Sequence, residues 1–385
     1  MIKVEKINIK SPVYDITVDK VHNFYANEVL VHNCVEIALP TEPILNSVRT
    51  IDDSHGTVDF EGLVQLCTLA AINAGNLDLN DPKDMEKRME LLVRFTNEIL
   101  DYQDYQAPQA RRATMTYRPL GIGIINYAYF LAKNGVKYYD QESYDITHRL
   151  AEQMYYYSLK ASNKLAQERG SIEGIKDTIY LTGGLLIDSY NKEVDSITNE
   201  ALHCDWNSLR DIVKQYGVYN STLLALMPAE SSSFVTNATN GIEPIRSLII
   251  KKSNKKVSFV QVVPEVGKLK NQYTYLWDMD ASQMNGYIKN AAVFQKFVCQ
   301  SISANLSYNP DHYEKINAQT GNLEKKIPLE VLINHFLLCT KLGLKTRYYV
   351  NTKGEKDHTD DYVTEQASID EDVEESGGCD GACKL

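Results

Sequence analysis

The chain has 385 residues, 43% of them hydrophobic and 24% charged, the balance of a globular protein with room for one large domain or two ordinary ones. No run approaches 18 uninterrupted apolar residues, and the first residues lack a basic stretch followed by an apolar one, so neither a membrane span nor a secretory signal is expected and the cytoplasm is the expected compartment. The formal net charge of −11 argues against a surface built for nucleic acid.

Residues 1–33 read as short strands, IKVEKINI, SPVYDITVDK and, after a turn, EVLVHN, because β-branched residues alternate with polar ones. Thirty-three residues bury no core of their own, so this piece needs a partner. From Cys34 onward the texture changes to long helices separated by short apolar strands, which predicts an α/β architecture. Asp81-Pro82 predicts an N-cap and a proline at the first helical position, opening a helix with Met85, Met89, Leu92, Phe95 and Ile99 at helical spacing. A second helix is predicted over about 143–167, with Leu150, Met154, Tyr157, Ala161 and Leu165 on one face and Gly170 just beyond it. A third spans roughly 328–342 and stops at Gly343, followed by LKTRYYVN, whose composition predicts a buried strand. Residues 351–385 hold eleven Asp/Glu against three Lys, a polar, glycine-containing stretch that reads as a flexible acidic arm.

Seven cysteines, at 34, 67, 204, 299, 339, 379 and 383, are too scattered for a disulfide scaffold. Cys299 and Cys339 sit in apolar helical patterns and are expected to be buried thiols. LGIGIINYAYFLAKNG carries Gly121 and Gly123 but has Asn126 where a dinucleotide fingerprint needs its third glycine, so a tight strand-to-helix packing turn is the preferred reading. His55, His148, His203, His312, His335 and His358 form no metal-ligand spacing, and no metal is expected in this chain. The Asn-x-Ser/Thr matches at Asn220, Asn237 and Asn305 carry no argument without secretion.

VYDITVDKVHNFYANEVLVHNC resembles the C-terminal end of an intein: VYDITV, then HNF, a spacer, and V-H-N before a nucleophile. The residue types suit that chemistry. Cys34 is a thiol able to accept an acyl group, Asn33 can cyclise on its own carbonyl and break the 33–34 bond, and His32 can protonate the departing amine. The resemblance implies assisting roles for Asp15 and His22. Since the motif begins almost at Met1, it implies a split intein whose N-terminal part sits on an upstream partner. The other reading is a hairpin edge with an incidental His-Asn.

From Cys34 onward the chain resembles the large, catalytic subunit of class I ribonucleotide reductase, through CVEIALPTEP, LCTLAAINAG, LDYQDYQAPQARR, LGIGIINYAYFLAKNG, NSTLLALMPAESSSFVTNATNGIEP, QSISANLSYNP and KTRYYVNT. The resemblance implies the second part of a ten-stranded α/β barrel over 34–350, preceded by a small all-β intein segment over 1–33 and followed by a redox tail over 351–385. It implies Cys34 as the thiyl radical that abstracts the ribose 3'-hydrogen, and Glu36 as the base for the 3'-hydroxyl. Two residues apart on an extended segment, the two side chains point to one side. It implies that Cys67 is one of two cysteines that supply reducing equivalents, its partner lying upstream. Tyr348 and Tyr349 match the paired tyrosines that relay the radical; a tyrosine-rich strand is the plain alternative in a chain with 25 tyrosines. Pro228, Ala229, Glu230, Ser231, Ser232 and Ser233 match the loop that binds the substrate diphosphate, where N–H and hydroxyl groups make suitable donors. Cys379 and Cys383 match a shuttle dithiol regenerated by thioredoxin or glutaredoxin, with three residues between them where the family uses four.

The implied partners are the upstream half of the subunit, which would hold the nucleotide effectors, a ribonucleoside diphosphate, and a small subunit whose metal site supplies the radical. This chain itself is expected to carry no cofactor and, alone, to be inactive. Three alternatives stand beside this reading: a splicing fragment with the reductase part as cargo, a glycyl-radical reductase, and a degenerate fragment. The Cys pair and tyrosine pair weigh against the second, and the intact Cys34, Glu36, Cys67, Tyr348 and Tyr349 set weighs against the third.

Overall fold

The computed structural model describes residues 23–26, 29–32, 36–37, 39–42, 62–66, 68–105, 107–253, 258–316 and 323–354. In chain order these form β1 (Asn23–Ala26), β2 (Val29–His32), β3 (Thr68–Asn73), α1 (Pro82–Tyr102), α2 (Pro108–Tyr117), β4 (Leu120–Ile125), α3 (Tyr127–Lys133), α4 (Gln141–Arg169), α5 (Trp206–Tyr216) and α6 (Glu230–Val235). They continue with β5 (Ile249–Ser253), β6 (Ser258–Val262), α7 (Val266–Leu269), α8 (Ala281–Gln295), β7 (Leu306–Tyr308), β8 (Glu314–Ile316), β9 (Leu323–Lys325), α9 (Leu329–Lys341) and β10 (Val350–Thr352). Helices and strands alternate as the α/β expectation has it.

The local signals act where the sequence puts them. Asp81 accepts from the N–H groups of Lys83 and Asp84, both at 3.2 Å, with Pro82 at the start of α1. Gly170 and Gly343 follow α4 and α9 with φ of 90° and 78°, the region glycine enters without strain. The buried stripe of α1 differs from expectation. It runs Met85, Met89, Val93, Asn97, Leu100, while Phe95 is 60% exposed. Steps of four and three residues from Met89 carry the stripe through Val93 and Asn97, leaving Phe95 on another face. Asn97 is buried because it is satisfied: its Nδ2 donates to Asn220 at 3.2 Å and its Oδ1 accepts from Asn220 and from Arg118.

The strands that position the site run parallel. β3 pairs with β4 from Thr68↔Leu120 to Asn73↔Ile125, with α1 and α2 as the crossover that parallel pairing requires. Beyond β4 lies the segment 222–226, bridged through Ile122↔Leu224, and beyond that the segment at 302, bridged through Leu226↔Ile302. β7 then pairs in parallel with β10, Leu306 opposite Val350. Every residue of β4 is buried, as expected for a strand covered on both faces. Full burial of Leu120, Ile122 and Ile124 stabilises by about 1.5–3 kcal/mol each as an upper bound. The wall is not a closed ring among the described residues. β1 and β2 form a separate antiparallel hairpin in which NFYA, expected as turn, pairs with VLVH.

Gly123 shows why LGIGII is a packing element. A Cβ there would lie 2.5 Å from the Met227 sulfur and 2.9 Å from the Ala225 carbonyl, so glycine lets the neighbouring strand approach. Asn126, at φ 67°, turns the chain into α3, donating to Asn73 Oδ1 and accepting from the Thr239 N–H, both at 3.0 Å.

Two expectations are corrected. LKTRYYVN is not a buried strand: only Val350–Thr352 is regular, and Val350 is 48% exposed. The segment pairs on one side alone, and Lys345 donates to the carbonyls of Val298, Cys299 and Gln300 where strand pairing would begin. Cys299 is half-buried and lies beyond the end of α8, where its sulfur accepts from the N–H groups of Leu223 and Leu224 at 3.0 and 3.1 Å. Cys339 is the expected buried thiol, pushed up to about 11 by burial.

Candidate active site

Glu36 is a carboxylate with no exposed surface. Its backbone carbonyl accepts from the Ser301 N–H at 2.8 Å, and its Oε2 accepts from the Ser303 hydroxyl at 2.5 Å. Among the described residues its Oε1 is buried and has no hydrogen-bond partner. Such an oxygen costs free energy unless something else uses it, and a carboxylate so placed can accept a proton from a molecule beside it.

Ser303 also faces the adjoining strand. Its N–H donates to the Leu226 carbonyl at 2.9 Å, and the Leu226 N–H donates to the Ser301 carbonyl at 3.1 Å. Leu226 leads directly into the 227–233 loop and the single-turn-and-a-half α6. Within that loop, the hydroxyls of Ser232 and Ser233 donate to the carbonyls of Ala229 and Glu230, at 3.2 and 2.8 Å. The Ala229 N–H donates to Asn240 Oδ1 at 2.9 Å. In this conformation these donors serve the loop itself, so a diphosphate would have to draw the two hydroxyls away from their carbonyls. A cleft beside the loop is lined by Glu230, Ser233, Asn240, Glu243 and Arg246 among others. Burial raises the Glu243 pKa, opposed by the Arg246 charge and the Asn305 hydrogen bond.

Tyr348 and Tyr349 meet with ring centroids 3.8 Å apart and planes tilted by 37°, and the Tyr349 hydroxyl donates to that of Tyr348 at 2.9 Å. Consecutive residues on a regular strand point to opposite faces, so this contact requires the irregular backbone found here. The Tyr348 N–H donates to the Ala304 carbonyl, and the Tyr349 N–H to Asn305 Oδ1 at 3.0 Å. Both rings are half-buried.

Residues 301–305 therefore touch Glu36, the strand leading into the loop, and the tyrosine pair. Of the expected site residues, the structure brings Glu36, the 228–233 loop and Tyr348–Tyr349 around this stretch. His32 ends β2. Asp15, His22, Asn33, Cys34, Cys67, Cys379 and Cys383 lie outside the described residues. Sequence reasoning gave no role to Ser303, Asn305, Asn240 or Glu243. The only signal was that QSISAN and NATNGIEP lie inside matching stretches. Among the described histidines, His335 bonds Tyr308 and the Ala281 carbonyl, His148 meets Lys296, and His203 meets Glu200. No described helix is long and apolar enough to cross a membrane.

A family model described as "Ribonucleotide reductase, barrel domain" matches residues 12–350. The chain is 45% identical over 352 residues to the ribonucleoside-diphosphate reductase subunit alpha of Buchnera aphidicola from Schizaphis graminum, covering 91% of this chain and 43% of that protein. The Haemophilus influenzae protein of the same name is 44% identical over 352 residues, covering 91% and 42%. That of Enterobacteria phage T4 is 40% identical over 352 residues, again covering 91% and 42%. The chain thus spans about two fifths of the length of these curated relatives.

Proposed function

This chain belongs to the ribonucleotide reductase barrel-domain family, and from that premise we propose that it is the C-terminal part of the catalytic subunit of a ribonucleoside-diphosphate reductase. The observation that carries this reading is the buried Glu36, with one oxygen uncommitted among the described residues, joined through residues 301–305 to a hydrogen-bonded tyrosine pair. In this reading the radical passes from Tyr349 through Tyr348 to Cys34, the Cys34 thiol giving up an electron and a proton together to the tyrosine beside it. The resulting thiyl takes the ribose 3'-hydrogen atom and Glu36 takes the 3'-hydroxyl proton. The 2'-hydroxyl then leaves as water, the thiols of Cys67 and its upstream partner supply the two hydrogens this requires and become a disulfide, and Cys34 returns the 3'-hydrogen. Loss of the 2'-hydroxyl needs acid and base in one dry site, and the full burial of Glu36 supports that. The loop 228–233 holds the diphosphate, and Cys379 with Cys383 hands electrons in from thioredoxin or glutaredoxin. The radical originates in a small subunit, and effectors act through the upstream half. A second part of a ten-stranded barrel is the architecture proposed, and the parallel order of β3, β4, 222–226, the segment at 302 and β10 beside β7 supports it.

We further propose that residues 1–33 are the C-terminal segment of a split intein, with Cys34 serving splicing first and catalysis afterwards. The antiparallel hairpin pairing Asn23–Ala26 with Val29–His32 supports this, because short strands are what an all-β intein segment requires there. The family match starts at residue 12, so the boundary at 33 rests on the His-Asn-Cys chemistry alone. Co-expression with an upstream half that ends in an intein N-terminal part, followed by intact-mass measurement, tests it. A released piece ending at Asn33 and a ligated chain continuing from Cys34 are expected. Asn33→Ala should abolish release, because alanine has no amide to cyclise. Undiminished cleavage at 33–34 in that variant would remove the splicing assignment.

A further inference from the structure

We propose that Glu243 is a positioning residue that ties the 227–233 loop to the tyrosine pair, so that the two settle into their working geometry together. The tie is a chain of four hydrogen bonds. The Ala229 N–H donates to Asn240 Oδ1 at 2.9 Å, and Asn240 Nδ2 donates to Glu243 Oε2 at 3.2 Å. On the other side Asn305 Nδ2 donates to Glu243 Oε1, and the Tyr349 N–H donates to Asn305 Oδ1 at 3.0 Å.

Each asparagine is oriented at both ends, spending its oxygen on a backbone N–H and its NH2 on the carboxylate. Glu243 accepts from both. Only an ionised carboxylate offers an acceptor on each side; a glutamine would turn an NH2 group toward one of the two asparagine NH2 groups. Arg246 supplies a positive charge near the carboxylate. The buried Tyr287 hydroxyl, held protonated by burial and by the Glu243 charge, adds a neutral neighbour. Movement of Ala229 as the loop takes a ligand therefore has a hydrogen-bonded route to the Tyr349 backbone. The meaning assigned to that route rests on the reductase reading, but the route itself does not.

The test separates the two. Amide hydrogen exchange of the full chain, read by mass spectrometry over peptides covering 344–352 and 226–242, compares the parent with Glu243→Gln and Asn240→Ala. Glu243→Gln is expected to speed exchange at the Tyr349 amide by about tenfold, leaving β3 and β4 unchanged. Asn240→Ala touches only the loop side, yet it should also speed exchange at Tyr349, an effect that purely local support would not produce. The tie is overturned if Asn240→Ala changes exchange only in 226–242, or if Glu243→Gln leaves the Tyr349 amide unchanged. In the ligated enzyme, Glu243→Gln should lower kcat by about tenfold with a smaller change in KM. If ligated parent enzyme shows no reduction while the exchange results hold, the reductase reading fails and the tie stands.

Discussion

Replacing Tyr348 or Tyr349 by phenylalanine is expected to reduce nucleotide reduction to background while leaving the fold and diphosphate binding in place. Phenylalanine keeps the tilted ring contact at 3.8 Å but removes one of the two hydroxyls that meet at 2.9 Å. A tyrosine loses an electron only with its phenolic proton, and phenylalanine has none to lose. The stability cost is that of one half-buried hydrogen bond, about 0.5–1.5 kcal/mol. The backbone bonds to Ala304 and Asn305 do not depend on the side chain and should persist. Turnover of the ligated enzyme, together with its thermal midpoint and its affinity for a ribonucleoside diphosphate, checks this. Near-parental turnover in either variant would return the pair to a structural role.

Glu36→Gln is expected to lower turnover by about 10²–10⁴, the usual contribution of a positioned general base. Glutamine is nearly isosteric, so Ser303 can still donate to a side-chain oxygen. What disappears is the ability to take a proton at the oxygen that lacks a partner among the described residues. Removing a buried charge should not unfold the chain, since burying an ion is costly even when it is partly bonded. Ser303→Ala should cost less, because it loosens Glu36 without removing its charge. A full-rate Glu36→Gln enzyme would show that the proton goes elsewhere.

Much of this was legible because its causes are local. Asp81-Pro82 caps α1 by chemistry confined to four residues, and Gly170 and Gly343 follow their helices by backbone freedom alone. The paired tyrosines and Glu36 were singled out by the resemblance of their flanking stretches, KTRYYVNT and CVEIALPTEP. The frame around them did not, because it is made of contacts distant in sequence. Ser303 meets Glu36 across 267 positions, Asn305 meets Glu243 across 62 and Tyr349 across 44. Serine and asparagine are common, and nothing in SISAN or NATNGIEP announces which backbone N–H each will hold. Phe95 illustrates the converse: apolar spacing gives a helix, but tertiary packing decides which side is covered.

In the proposed function Glu36, the 227–233 loop and the tyrosine pair belong to one reductase site. The most direct measurement is the deoxyribonucleoside diphosphate formed by pre-reduced enzyme ligated at Cys34 and given the small subunit and a ribonucleoside diphosphate. Product limited to the enzyme's own cysteine equivalents is expected without thioredoxin, and repeated turnover when thioredoxin is present. Substrate recovered unchanged, from enzyme whose intact mass shows ligation and which binds both the small subunit and the diphosphate, would contradict it.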